Sequence, residues 1–390
     1  MVHFLLIMIY LAFISLGLPD SVLGSAWPSM YGEFDVPVSY AGIVSLIIAA
    51  GTIVSSLQSD RLTKKFGAGK ITAMSVVMTA VALFGFSISS SFWMLCLWAV
   101  PYGLGAGSVD AALNNFVALH YASRHMSWLH CMWGVGTIIG PNIMGYVLMR
   151  GQSWNDGYRW LSLIQIVLSA VLVLSLPLWR RKTSPETEVC ARAKDEPEKP
   201  LSLGQIFRIT GAKEVMLTFF CYCAVEQTAM LWAGSYLVLH NSIRAEDAAS
   251  LSSILFIGIT VGRMLNGFLT YKFNDTQMIR IGQGILILGC LTLLLPFGNT
   301  VGMIGLILIG LGCAPIYPCI IHSTPKRFGA DKSQALIGVQ MASAYVGTAL
   351  MPPLFGLIAN HMAVSLLPVF LLVLVTLMVT SHEILVKKTI

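Results

Sequence analysis

Twelve stretches of this chain are each apolar over the length of a membrane span, and that limits the fold more than any other feature. They lie at about 4–30, 37–58, 70–90, 92–120, 126–149, 158–179, 212–239, 247–271, 277–297, 300–323, 333–360 and 364–386. A hydrocarbon core about 30 Å thick is crossed by about 20 apolar helical residues. Mean hydropathy is +0.76, and 56% of the residues are hydrophobic against 11% charged. The short alternating segments of an outer-membrane barrel are absent from the pattern. A helix satisfies its own backbone groups in lipid, so the expected class is an all-α integral membrane protein of twelve transmembrane helices.

The charges orient these helices. One set of loops comprises 59–70, 121–125, 180–213, 272–280, 324–333 and the tail, and it holds 20 of the 24 Lys and Arg. The other set holds Arg150, Arg159 and Arg244, while Arg263 falls within a span. The positive-inside rule places the basic loops and both termini in the cytoplasm. The formal charge of +6 is therefore a topology signal, and no nucleic-acid partner is expected. The first stretch lacks the positive n-region and small-residue cleavage site of a signal peptide. The eight cysteines show no metal-ligand or disulfide spacing and read as small apolar fillers. The expected location is a plasma membrane, the inner membrane of a bacterium, with lipid as its surroundings.

Residues 180–204 are the one long polar run, with Pro185, Pro197 and Pro200 among alternating acids and bases. It reads as a solvated linker. The expected division is an N-terminal six-helix half at 1–179, a cytoplasmic linker at 180–211, and a C-terminal six-helix half at 212–390. The halves repeat. Val135-Gly136-Thr137, Pro141 and Gly145 recur as Val346-Gly347-Thr348, Pro352 and Gly356 at an offset of 211. Gly103-Leu104-Gly105 recurs as Gly310-Leu311-Gly312 at 207, and Asp20 falls opposite Glu226 at 206. Asp60-Arg61 falls opposite Tyr271-Lys272 at 211. An even number of spans per half gives parallel repeats about an axis along the membrane normal, a transporter design.

The loop after the second span reads Ser56-Leu57-Gln58-Ser59-Asp60-Arg61-Leu62-Thr63-Lys64-Lys65. On this loop and the repeat, the chain resembles the major facilitator superfamily over essentially its whole length. The family pattern is Gly-x-x-x-Asp-Arg-x-Gly-Arg/Lys-Arg/Lys; here Ser56 and Thr63 replace the two glycines. The resemblance implies two six-helix halves related by a pseudo-twofold axis along the membrane normal, and alternating access about a midplane site. It also implies that Asp60 and Arg61, with Lys64, help to latch the cytoplasmic gate.

Three carboxylates lie inside apolar spans: Asp20, Asp110 and Glu226. An acid at the centre of a membrane helix costs about 2.5–3.5 kcal/mol on insertion scales, so such groups are candidate functional sites. Gly17, Asp20, Gly24 and Trp27 follow helical 3/4 spacing, with Pro19 and Pro28 as candidate bends. Gly103, Gly107, Asp110 and Asn114 form a second stripe. His130 and Gly134 open the fifth span, with Asn142 further along. In the seventh, Cys223, Glu226, Met230 and Gly234 share a face near Gln227, Trp232 and Tyr236. Arg263 lies in the eighth, and Tyr317 of the tenth takes the repeat position of Asp110.

Gly17-Leu18-Pro19-Asp20 and Gly103-Leu104-Gly105-Ala106-Gly107-Ser108-Val109-Asp110, followed by Asn114, are similar to the fucose permease branch. That branch implies proton-coupled sugar uptake, with a first-span Asp, a fourth-span Glu, and an Asn four residues later. Asp20, Asp110 and Asn114 hold those places here, Asp110 standing where the branch has Glu. Burial disfavours a charged carboxylate, so a buried acid can carry a proton and release it on opening to water. We expect Asp20 and Asp110 to couple the ion. Asn114, His130, Asn142, Glu226 and Gln227 are the expected hydrogen-bonding contacts to a small polar solute, a sugar or polyol. Trp27, Trp232, Tyr236 and Tyr317 are candidates to stack on it. Arg263 is expected as a gate or packing residue, and fixed pairing of an acid with Arg263 is the structural alternative to a transport role.

No enzymatic chemistry is visible. Gly67-Ala68-Gly69-Lys70 lacks the first glycine and the Ser/Thr of a phosphate-binding loop. Gly134-Val135-Gly136-Thr137-Ile138-Ile139-Gly140 matches a dinucleotide fingerprint only by letter, and in a membrane helix it reads as packing. No cofactor is expected beyond the coupling ion, H⁺ or alternatively Na⁺. The chain is expected to act as a monomer. The competing functions are a proton-driven exporter of drugs or amphipaths, a sodium-coupled sugar symporter, and a flux-less membrane sensor.

Overall fold

The computed structural model describes residues 2–20, 22–37, 40–180, 200–239, 245–295 and 298–389. Among these, fifteen α-helices follow one another: α1 (Val2–Gly17), α2 (Val22–Met30), α3 (Ala41–Phe66), α4 (Ala68–Ser87), α5 (Phe92–His120), α6 (Ser123–Met149), α7 (Trp154–Leu174), α8 (Leu176–Arg180), α9 (Leu203–Ile206), α10 (Ala212–Leu239), α11 (Ala245–Leu269), α12 (Asp275–Leu293), α13 (Asn299–Phe328), α14 (Ala330–His361) and α15 (Leu367–Thr389). Eleven spans are long and apolar enough to cross a membrane, with α1 and α2 together making the first, and the apolar part of α11, Ile254–Leu269, is shorter. Most of the expected linker, with Cys190, lies outside the described residues.

Two compact units form. The first comprises Met1–Phe116 and Met132–Ser202, and the second comprises Val117–Cys131 and Leu203–Ile390. The end of α5 and the start of α6 thus belong to the second unit. In the first unit α4 packs extensively on α7; in the second, α12 packs on α13, α11 on α13, and α10 on α14 and α15.

Within each unit, glycines bring helix backbones into contact, and the two sets of contacts correspond. A Cβ on Gly103 would lie 2.3 Å from the Ile48 carbonyl oxygen, and one on Gly310 would lie 2.4 Å from that of Leu255. One on Gly105 would lie 2.9 Å from the Ser75 oxygen, and one on Gly312 2.8 Å from the Gly282 oxygen. Both partners in each pair are shifted by 207 residues. Gly136 abuts the carbonyl of Ile14 and Gly347 that of Phe220, shifted by 211 and 206. Small residues that let backbones approach are the usual means of packing helices in lipid, where water supplies no drive for association. These contacts set α3 against α11 at 207, so Gly267 and Phe268 stand opposite Asp60 and Arg61. The offset of 211 expected for that loop is therefore one helical turn too long.

The same glycines explain a departure in the loop motif. Ser56, at the family's glycine position, is fully buried and donates from Oγ to the Gly107 carbonyl at 3.3 Å. Thr52 likewise donates to the Gly103 carbonyl at 3.2 Å, and Ser55 bonds the Leu104 carbonyl and the Ser108 hydroxyl. Gly51 of α3 and Gly103 and Gly107 of α5 already bring the two backbones together, so a glycine at 56 is not needed for approach.

Candidate functional site

The first span is broken at its acid. Helix α1 stops at Gly17 and α2 starts at Val22, with Asp20 in the turn between them. Pro19 has no N–H to give the Ser15 carbonyl, so the helix loses one bond there. Gln165 of α7, itself buried, donates from Nε2 to that carbonyl at 3.1 Å. The break falls at Pro19 and not at Pro28, which lies inside α2. Across it the expected 3/4 stripe fails: a Cβ added to Gly24 would meet nothing within 4 Å, and Trp27 is buried in a cluster with Phe92, Phe86 and Trp154.

Asp20 keeps accessible surface and meets two neutral donors. The Tyr102 hydroxyl of α5 donates to Oδ1 at 3.0 Å, and the Trp133 indole N–H of α6 donates to Oδ2 at 2.8 Å. No cation pairs with it among the described residues. Neither Tyr102 nor Trp133 is among the residues singled out from the sequence. Their signal there is weak, a mid-span aromatic beside Gly103 and another one turn after His130.

Asp110 and Asn114 are both buried, and the Asn114 amide donates to Asp110 Oδ1 at 2.7 Å and to its backbone carbonyl at 2.9 Å. The two side chains thus meet each other on α5. Eight residues of helix, a rise of about 12 Å, separate Asp110 from the Tyr102 that holds Asp20. Asn142, on α6 in the same unit, is exposed and donates to the Ile138 carbonyl of its own helix. Asp60 is 5% exposed; Lys64 approaches it at 3.3 Å, and among the described residues neither carboxylate oxygen has a donor in hydrogen-bond geometry. Arg61 is exposed.

The second unit brings together four of the expected residues. The Arg263 guanidinium donates to Glu226 Oε1 at 2.9 Å, and both side chains are buried. Breaking such a pair by removing one member leaves a buried charge, at about 3–5 kcal/mol. His130 lies edge-on to Tyr317, with ring centroids 4.4 Å apart, and Tyr317 in turn contacts Phe219 and Tyr222. Arg263 is within electrostatic range of His130, Tyr222 and Tyr317. Gln227 is half-buried beside this group in sequence. Tyr236 stands apart: it is 1% exposed, and its hydroxyl donates to the Leu293 carbonyl at 2.8 Å. Trp232 donates to the Pro352 carbonyl at 3.0 Å and packs on Phe355. The polar atoms of both are thus used within the unit.

Among the described residues, long apolar helices carry interior acids, one of them in a helix break, which is the architecture of an integral membrane transporter. The family model of the Major Facilitator Superfamily matches residues 9–352, and the chain belongs to that superfamily. The glucose/mannose transporter GlcP of Bacillus subtilis is 23% identical, over 79% of this chain and 77% of that protein. Bypass of stop codon protein 6 of Saccharomyces cerevisiae is 21% identical, over 94% of this chain and 79% of that one. Among solved structures, the outward conformation of the superfamily transporter FucP aligns with a TM-score of 0.78 at 16% identity, covering 96% of this chain and 98% of that one. The proton:xylose symporter XylE, bound to a bromodeoxyglucose, aligns at 0.80 and 12% identity, covering 99% and 95%.

Proposed function

We propose that this transporter moves a sugar or polyol together with protons, by alternating access. The observation that carries the reading is Asp20: a carboxylate in a helix break, with accessible surface, held by neutral donors and lacking a counter-ion among the described residues. An intramembrane acid so placed needs a proton or a cation to neutralise it, and discontinuous helices are where membrane transporters place such sites. Asp20 and Asp110 are the proposed carriers of the coupling proton. Asn114, His130, Glu226, Gln227 and Tyr317 are the proposed polar contacts to the solute. Trp133 joins them as an aromatic face fixed by its bond to Asp20. Similarity to a glucose/mannose transporter and to a proton:xylose symporter supports this solute class. The proposed membrane is the bacterial inner membrane, with both termini in the cytoplasm, as the basic loops favour.

The test is transport by purified protein in proteoliposomes under an imposed proton gradient, against a panel of sugars, polyols and cationic drugs. Uphill accumulation of a sugar is expected. Asp110→Asn should abolish it while leaving solute exchange at equilibrium measurable. Proton-driven accumulation by Asp110→Asn at the wild-type rate would remove that residue from coupling. Accumulation driven only by a sodium gradient would replace the proton by Na⁺, and uptake of the drugs alone would overturn the solute class.

A further inference from the structure

The second unit holds a polar cluster that the proposed transport site does not use. Residues Val117–Cys131, from the end of α5 through the start of α6, belong to this unit and are bonded to it along their length. Ser123 Oγ donates to Asp275 Oδ1 at 2.5 Å. Asp275 Oδ2 lies 2.7 Å from His322 Nδ1, and His322 Nε2 lies 3.2 Å from the Tyr121 carbonyl oxygen. One turn further along α6, Asn266 donates to the hydroxyl of the fully buried Ser127 at 2.6 Å. The Arg124 guanidinium lies over the Tyr271 ring, and Trp128 packs on Phe268. The imidazole of His322 and the carboxylate of Asp275 retain only 20% and 15% of their side-chain exposure.

Hydrogen-bond chemistry fixes the number of protons here. A backbone carbonyl offers only lone pairs, so the bond to Tyr121 requires a hydrogen on Nε2. A ring nitrogen and a carboxylate oxygen 2.7 Å apart must also share a hydrogen, since two bare acceptors would repel. It sits either on Nδ1, making an imidazolium and a carboxylate, or on Oδ2, making a neutral imidazole and a carboxylic acid. In both cases the pair holds one proton more than a neutral histidine beside an ionised aspartate. We infer that Asp275 and His322 form a second proton-binding site, a latch that holds the 117–131 segment only when it has taken up this proton.

The neighbours are accounted for. Arg280, on the helix of Asp275, is engaged by both oxygens of Glu383. From α13, Lys326 opposes a positive charge on His322, Cys319 lies against Asp275 and Ser123, and Arg327 donates to Thr276 and Thr389. On the other side, His125 lies edge-on to the Tyr121 ring. The extra proton is held by the Asp275 oxygen and the Tyr121 carbonyl. The sign follows: the closed latch binds more protons than the open one, so it is favoured as pH falls and lost as pH rises. Residues 121–125 and Asp275 lie in the basic set of loops, and His322 lies two residues before another of them, 324–333. The latch therefore reads the pH of the side those loops face, and above the ordinary histidine pKa of about 6.5 each opening releases one proton there.

The experiment is hydrogen–deuterium exchange by mass spectrometry on the full-length protein in nanodiscs, at about pH 6 and about pH 8.5, with times scaled for intrinsic exchange. Peptides spanning 117–131 should lose protection on the order of tenfold or more at the higher pH, as expected for a state that must hold one extra proton. Peptides from the interior of α12 should not, which separates latch opening from unfolding. Asp275→Asn is the decisive variant. Its amide can donate to Nδ1 while Nε2 keeps its hydrogen and the side-chain oxygen still accepts from Ser123, so every bond survives without the extra proton. That variant should stay protected at both pH values, and His322→Ala should be unprotected at both. Wild-type protection that does not change with pH would overturn the inference, as would an Asp275→Asn protein that keeps the wild-type loss.

Discussion

The three interior acids have three different kinds of partner. Glu226 meets a guanidinium, Asp110 an amide on its own helix, and Asp20 an indole and a phenol. The pair of Glu226 with Arg263 is a buried ion pair, and its energetics follow from burial. Arg263→Leu and Glu226→Gln should each destabilise the protein by about 3–5 kcal/mol, while the double variant should cost less than the sum of the two. A double-mutant cycle on unfolding in mixed micelles measures this, and additive losses would show that the pair does not couple. The sequence exposes the acids because charge is rare in these spans. It also offers Arg263 as a partner for any of them. It does not disclose the partners of Asp20, because Tyr102 and Trp133 lie 82 and 113 residues away, and an aromatic in an apolar run carries no mark of the hydrogen bond it makes.

At the level of the element, the first span shows how one proline shapes two helices. Pro19 frees the Ser15 carbonyl, and Gln165 of α7 answers it while also donating to the Thr79 hydroxyl at 3.3 Å. Gln165→Leu should leave that carbonyl buried and unsatisfied, at about 1–3 kcal/mol. Restoring the missing N–H with Pro19→Ala in the Gln165→Leu background should recover part of the loss. Thermal unfolding of the two variants checks this, and no recovery would mean that the break is held by other contacts. Proline and acid are both visible in the sequence at this point, so a bend is foreseeable there. A complete interruption is not, because it depends on Gly136 and Gly140 of α6 pressing on the carbonyls of Ile14 and Leu18. The polar stripe expected across the first span fails for the same reason: helical spacing relates side chains only while the helix continues.

For the molecule as a whole, the repeat is the most legible feature, and the glycines carry it. Gly103-Leu104-Gly105 and its copy are visible by eye, and the carbonyls they meet are related by the same offset. The compact units are less legible, because the packing of Val117–Cys131 with the second is announced by no linker or composition shift. The paired contacts predict paired costs. Gly103→Ala and Gly310→Ala should each destabilise by about 1–3 kcal/mol through overpacking. Gly145→Ala and Gly284→Ala, where a Cβ meets nothing within 4 Å, should be close to neutral. A saturation scan of expression level would then give a tolerance map that nearly superimposes on itself when one half is slid onto the other. The map should lose that symmetry at Asp110 and Tyr317, at Ser56 and Arg263, and across the break at Pro19. Duplication has left one set of packing instructions written twice, and the positions where the copies disagree separate specialised chemistry from inherited architecture.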